Sequence, residues 1–201
     1  MELQTAEWMV KFVRKIIENA VEMKKTSVPE SYPEELDEKK GVFVTLLTYP
    51  EKELRGCIGL PYPTHKLIDG IIEAAFSACF DPRFSPLRKE ELNKIIVEVS
   101  ILTPPKLIEV KSPDEYLEKV EIGKDGLIIA NGPFSGLLLP QVPVEYKWDV
   151  KEFLRNLCLK ASLPPDAWRY PTSRIYKFQA EIFAEEEPNG RVVKREIKVV
   201  K

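Results

Sequence analysis

Histidine is almost absent from this sequence: His65 is the only one in 201 residues. The commonest general base and metal ligand is therefore available at one place. Cysteine is sparse as well. Cys57, Cys79 and Cys158 are odd in number and far apart, which excludes a disulfide framework and gives no zinc-ligand spacing. No metal and no cofactor is expected. A phosphate loop, a dinucleotide fingerprint and a nucleophile elbow are all missing. No apolar run approaches the roughly 20 residues that span a bilayer. The first twenty residues carry Glu2, Glu7, Lys11, Arg14, Lys15 and Glu18, so they do not read as a secretory signal. Thirty cations against 32 anions leave a formal charge of -2, with no Lys/Arg block. That balance gives no footprint for nucleic acid or an anionic membrane. The cytoplasm is the expected location, because free thiols persist in a reducing compartment.

What is present is ample material for a core. Hydrophobic residues make up 44% and charged residues 31% of the chain, and the wealth of Lys and Glu matches the composition of thermophile proteins. Ala6, Met9, Val10, Val13, Ile16, Ile17, Ala20 and Val21 recur at helical spacing, with charged residues on much of the other face. Residues 26–40 carry Pro29 and Pro33 and read as a surface connection with room for a short helix. Two strands are expected next, over 41–48 and 53–59. Period two then places Leu54, Gly56 and Ile58 on one face and Arg55, Cys57 and Gly59 on the other. Thr64 is the expected N-cap of a helix over 65–80, buried through Leu67, Ile68, Ile71, Ile72, Ala75, Phe76 and Cys79. Pro82 ends it at Asp81. A short helix over 88–93, a strand over 94–102 and a helix from Ser112 to Lys119 follow. Turns at 123–126 and 131–133 shape a β-meander, with strand 127–130 between them and strand 135–139 after them. Asp149 caps a helix through Leu159, Pro164 opens a short turn to Trp168, and 173–183 alternates as a strand. The charged tail 189–201 either pairs at an edge or frays. Tight turns between strands, without a βαβ rhythm, give an α+β fold: antiparallel sheet flanked by helices.

Three groups of residues could carry chemistry. Cys57 lies between Gly56 and Gly59, two residues from Arg55 on the same strand face. A cation there would favour thiolate, making Cys57 a nucleophile; the alternative is a small packed side chain. Cys57 and His65 would have to meet for a dyad, and nothing in their spacing brings them together. Arg83 could clamp a carboxylate or phosphate with Asp81 as orienter or base, or the two could simply brace the turn after the helix. Gln141, between Pro140 and Pro143, could contact a ligand or satisfy a loop carbonyl. Cys79, Cys158, Trp148, Phe153 and Trp168 read as core.

Taken in order, LRGCIG at 54–59, ACFDPRFSPL at 78–87, VEVSILTPP at 97–105, GKDGLII at 123–129 and SGLLLPQVPVE at 135–145, with Trp148 and Phe153, resemble the AMMECR domain family over nearly the whole chain. The resemblance implies a single AMMECR-type domain over 1–201, of two lobes with a cleft between them near the Arg-Gly-Cys strand. The smaller lobe would include the meander near 120–145. It implies stand-alone archaeal proteins of this length and an unsettled activity. The motif positions carried over are Leu54, Arg55, Gly56, Cys57, Ile58, Gly59, Asp81, Arg83, Gln141 and Trp148. Candidate catalytic residues are Cys57, Arg55 and Asp81; candidate ligand-binding residues are Arg83, Gln141, Gly56 and Gly59. Three functions follow: a cleft enzyme or binder of a small anionic ligand, a non-catalytic partner module in a pathway with Memo-like and radical-SAM proteins, or, disfavoured by the -2 charge, an RNA-associated protein.

Overall fold

The computed structural model describes residues 1–197. Its elements in chain order are α1 (Leu3–Val21), β1 (Gly41–Thr48), β2 (Leu54–Leu60), α2 (Leu67–Ala78), β3 (Ile95–Leu102), β4 (Lys106–Leu107), α3 (Tyr116–Lys119), β5 (Gly126–Asn131), β6 (Phe134–Leu138), α4 (Val142–Glu145), α5 (Val150–Lys160), β7 (Arg174–Phe178), β8 (Ala180–Glu185) and β9 (Val192–Arg195). The fold is α+β. Two compact units are present, one of residues 1–102 and 181–195, the other of 103–180.

In the first unit the sheet order is β2-β1-β3-β8-β9. β1 pairs antiparallel with β2 and β3, and β8 with β9. β3 is buried along its whole length, as expected of an interior strand rich in Ile and Val. Val42, Val44 and Leu46 of β1 join Ile95, Val97, Val99 and Ile101 of β3 in one core with the apolar stripes of α1 and α2. Helix periodicity thus meets strand periodicity at a single layer. In the second unit the order is β4-β7-β5-β6, all antiparallel. Its separate core holds Leu127, Ile129 and Ile175 against Phe153, Leu154, Leu157 and Cys158 of α5. Asp149 caps α5 by accepting the Glu152 N–H at 2.7 Å. Gly132 supplies the positive φ of the β5–β6 turn.

Several expectations are corrected. Residues 173–183 are not one strand. β7 and β8 belong to different sheets, and Gln179 between them exchanges hydrogen bonds with Thr103 instead. Alternation reports a strand's faces, not the sheet it enters. α2 begins at Leu67, with Lys66 rather than Thr64 at the N-cap and no side-chain cap. The Thr64 hydroxyl meets its neighbour His65 at Nδ1, 2.9 Å away. Phe76 is exposed and Ile72 only half-buried, so the buried stripe is narrower than its apolar spacing suggests. Arg14 sits inside the core rather than on the charged face of α1. The short elements β4 and α4 were not foreseen. The connection over 26–40 holds a 3-10 turn at Glu34–Asp37, pinned by fully buried Leu36. The tail pairs as edge strand β9; residues 198–201 lie outside the described residues.

Candidate functional site

β2 is an edge strand, and its register explains the motif residue by residue. Thr45 stands opposite Cys57. The Cys57 N–H and C=O point away from β1, which makes the pair a non-hydrogen-bonded one, with side chains close. The Thr45 hydroxyl accordingly donates to Cys57 Sγ at 3.3 Å. The outward backbone groups are taken by side chains from the turn after α2. Cys57 N–H donates to Asp81 Oδ2 at 2.9 Å, and Arg83 Nη2 donates to the Cys57 carbonyl at 3.1 Å. Asp81 and Arg83 thus stand in for a neighbouring strand and close the edge at this point.

Asp81 is 2% exposed. It also accepts the Arg83 N–H and Nε at 3.0 Å each and Nη2 at 2.7 Å. The Arg83 guanidinium holds its carboxyl at about 2, well below the ordinary range. Both oxygens are committed, so Asp81 has no spare capacity as a base. Arg83 itself is half-exposed, and its Nη1 is uncommitted.

Arg55 does not stay beside Cys57. Leu46 pairs with Gly56 and Leu47 with Leu54, so Arg55 is an extra, unpaired residue on β2. Such a bulge re-aims its side chain. Arg55 makes a two-pronged pair with Glu91, Nε to Oε1 at 2.7 Å and Nη2 to Oε2 at 3.0 Å, and this lowers the Glu91 pKa. The Phe84 ring lies near both cations, 5.9 Å from the Arg55 guanidinium carbon and 5.7 Å from that of Arg83.

Arg83 is the cation that acts on the thiol. Burial outweighs it, together with the Thr45 bond, and pushes the Cys57 thiol above its ordinary value. The thiolate expected from the Arg55–Cys57 spacing is therefore disfavoured. We expect iodoacetamide to label Cys57 in the native protein more slowly than free cysteine at pH 8, with Arg55→Leu leaving the profile in place. An acceleration over free cysteine, or a profile that moves with Arg55, would overturn this. His65 is exposed and engaged with Thr64. Cys79 is pushed up to about 12 and Cys158 to about 11 by burial. Among the described residues no group of three or more His, Cys, Asp and Glu side chains could hold a metal ion.

The motif glycines have steric reasons. A Cβ on Gly56 would sit well inside contact distance of the Ala78 backbone oxygen at the end of α2. Gly59 lies opposite Phe43, whose ring occupies the space a side chain would need. Gly56→Ala is expected to lower stability by about 1–3 kcal/mol, because a backbone oxygen cannot swing aside. Guanidinium unfolding would measure it, and an unchanged midpoint would refute the close approach. Gln141 belongs to the second unit, unlike the other candidates. It precedes α4, and its Oε1 is buried without a hydrogen-bond partner. Thr45, Phe84 and Glu91 were missed. Phe84 lies inside the ACFDPRFSPL segment, but no local signal pairs Thr45 or Glu91 with β2.

The AMMECR1 family model matches residues 10–183. The chain belongs to the AMMECR1 family. Among its AMMECR1 relatives, protein MJ0810 of Methanocaldococcus jannaschii is 56% identical over 198 residues, 98% of each chain. Protein MK0488 of Methanopyrus kandleri is 51% identical over 199 residues, 98% of this chain and 96% of the relative. The crystal structure of the uncharacterized protein PH0010 from Pyrococcus horikoshii superposes with a TM-score of 0.94 at 47% identity, over 98% of each chain. At that identity the AMMECR1 likeness covers sequence as well as fold. No helix among the described residues is long and apolar enough to cross a membrane.

Proposed function

We propose that this AMMECR1 chain is a non-catalytic partner-binding module whose docking surface adjoins the Leu54–Gly59 strand. The observation that carries the reading is an apolar groove of about 420 Å³ lined by Met23, Ile58, Phe76, Ser77, Phe80 and Pro82. Met23 is 76% and Phe76 40% exposed, an uncommon display of large apolar side chains in one place. Ile58 belongs to the motif strand, and Arg83 follows Pro82 with Nη1 uncommitted. A protein presenting an apolar side chain beside a carboxylate would satisfy both. The same Arg83 nitrogen supports the second reading, a small anionic ligand. Nucleophilic catalysis draws less support, because Asp81 is saturated and burial holds Cys57 as the thiol.

Memo-like and radical-SAM proteins are the partners that the family resemblance implies. Calorimetric titration of the purified chain against each, from the same organism, is the test. Phe76→Asp, on an exposed helix face, should abolish binding, Arg83→Gln should weaken it, and Cys57→Ser should leave it intact. No binding by the native chain, or loss with Cys57→Ser alone, would sink the proposal.

A further inference from the structure

The second unit carries a cavity that shares no residue with the Cys57 cluster. It has a volume of about 420 Å³ and lies between the segment 107–113 beyond β4, Tyr116 of α3 and the stretch 168–174 leading into β7. That volume falls in the ordinary range for small-molecule sites, roughly 300–1,000 Å³. Trp168 is 2% exposed, and its Nε1–H is buried without an acceptor. Tyr116 is 5% exposed, and its hydroxyl has no hydrogen-bond partner among the described residues. Arg174 is close enough to act on that hydroxyl electrostatically, and its exposed guanidinium has no ion pair or hydrogen bond of its own.

The remaining charges refine the picture. Arg169 is spent: it pairs with Asp114 at 2.8 Å and covers the Trp168 ring at 4.9 Å. Lys111 and Glu109 also line the cavity with opposite charges, and Arg174 adds a further positive charge. Leu107, Ile108 and the Trp168 ring supply an apolar wall. An unpaired cation, an unpartnered tyrosine hydroxyl and an apolar wall in one cavity specify an occupant with an anionic head and an apolar body.

We propose that this cavity binds a small organic acid, its carboxylate taken by Arg174 and the Tyr116 hydroxyl, and its apolar body seated against Trp168.

The probe is 2-naphthoate, followed by the indole N–H resonances in ¹H–¹⁵N spectra of the full chain, which has three tryptophans. Trp168 should shift saturably while Trp8 does not. Arg174→Gln, a surface change that leaves the core intact, should weaken binding by about tenfold or more, and Tyr116→Phe by about three- to tenfold. The neutral 2-naphthylmethanol should bind at least about tenfold more weakly than the acid. An unmoved Trp168 resonance at millimolar probe would overturn the proposal, as would equal affinity for the alcohol or no effect of Arg174→Gln. Inorganic phosphate giving the same shift at the same concentration would overturn the organic-acid assignment in favour of a bare-anion site.

Discussion

Truncating Arg14 or Glu185 alone to alanine is expected to cost about 3–5 kcal/mol, because either change leaves a charge buried without its partner. The side chains are 6% and 3% exposed. Arg14 Nε donates to Glu185 Oε1 at 3.0 Å, and Nη2 donates to Oε2. Arg14 also donates to the carbonyls of Leu92 at 2.8 Å and Ile95 at 2.9 Å, while Glu185 Oε2 accepts the Val97 N–H at 2.9 Å. The pair therefore ties α1 to β8 and to the entry of β3. Arg14→Met with Glu185→Leu removes both charges and keeps the volume. It still leaves the Val97 N–H without its acceptor, so full recovery is not expected. The double variant should cost less than the two single changes together by at least about 1–2 kcal/mol. Guanidinium unfolding of all four proteins measures the cycle. Single variants within about 1 kcal/mol of the native protein, or strict additivity, would show that the pair is better solvated than its burial indicates.

That pair also marks the limit of what the sequence made legible. The α1 stripe was readable because eight apolar residues recur at helical spacing, but Arg14 lies among them and looks like any surface arginine. Its partner is 171 positions away on β8, and no periodic signal spans such a distance. The same holds for Arg55. Its place on a strand was readable, and so was the alternation of Leu54, Gly56 and Ile58 against Cys57 and Gly59. The bulge that turns it to Glu91 arises from the register between β1 and β2, which a one-strand reading does not contain. Gly56 and Gly59 were legible as places where the backbone is uncrowded. What they accommodate, the end of α2 and the ring of Phe43, became visible only in three dimensions. The break at Gln179 was hidden for a related reason: the segment reads as continuous strand, and nothing local shows that its two halves enter different sheets.

Asp81→Ala is expected to lower stability by about 2–4 kcal/mol at neutral pH, since it strips the acceptor from four donors at once, the Cys57 N–H and three N–H groups of Arg83. The Cys57 N–H would lose its partner, Arg83 would lose the carboxylate that orients it, and the edge of β2 would open. The pH dependence has a definite sign. The folded-state pKa of Asp81 is depressed to about 2, below the ordinary value of about 3.9. Its contribution is thus fully present above about pH 4 and is lost as pH falls through 4 towards 2. The stability gap between the native protein and Asp81→Ala should be constant from pH 7 to 5 and close on acidification below 4. Asp81→Asn keeps the shape but turns an amide N–H₂ towards donors, so it should be destabilised as well. Amide hydrogen exchange supplies a local readout, with Cys57 protected in the native protein and fast in Asp81→Ala. If the gap ignores pH, or Cys57 exchange is unchanged, Asp81 does not close the edge strand. The motif's outer backbone would then be open to pair with an incoming chain, and Arg83 would be free to turn both nitrogens towards a ligand.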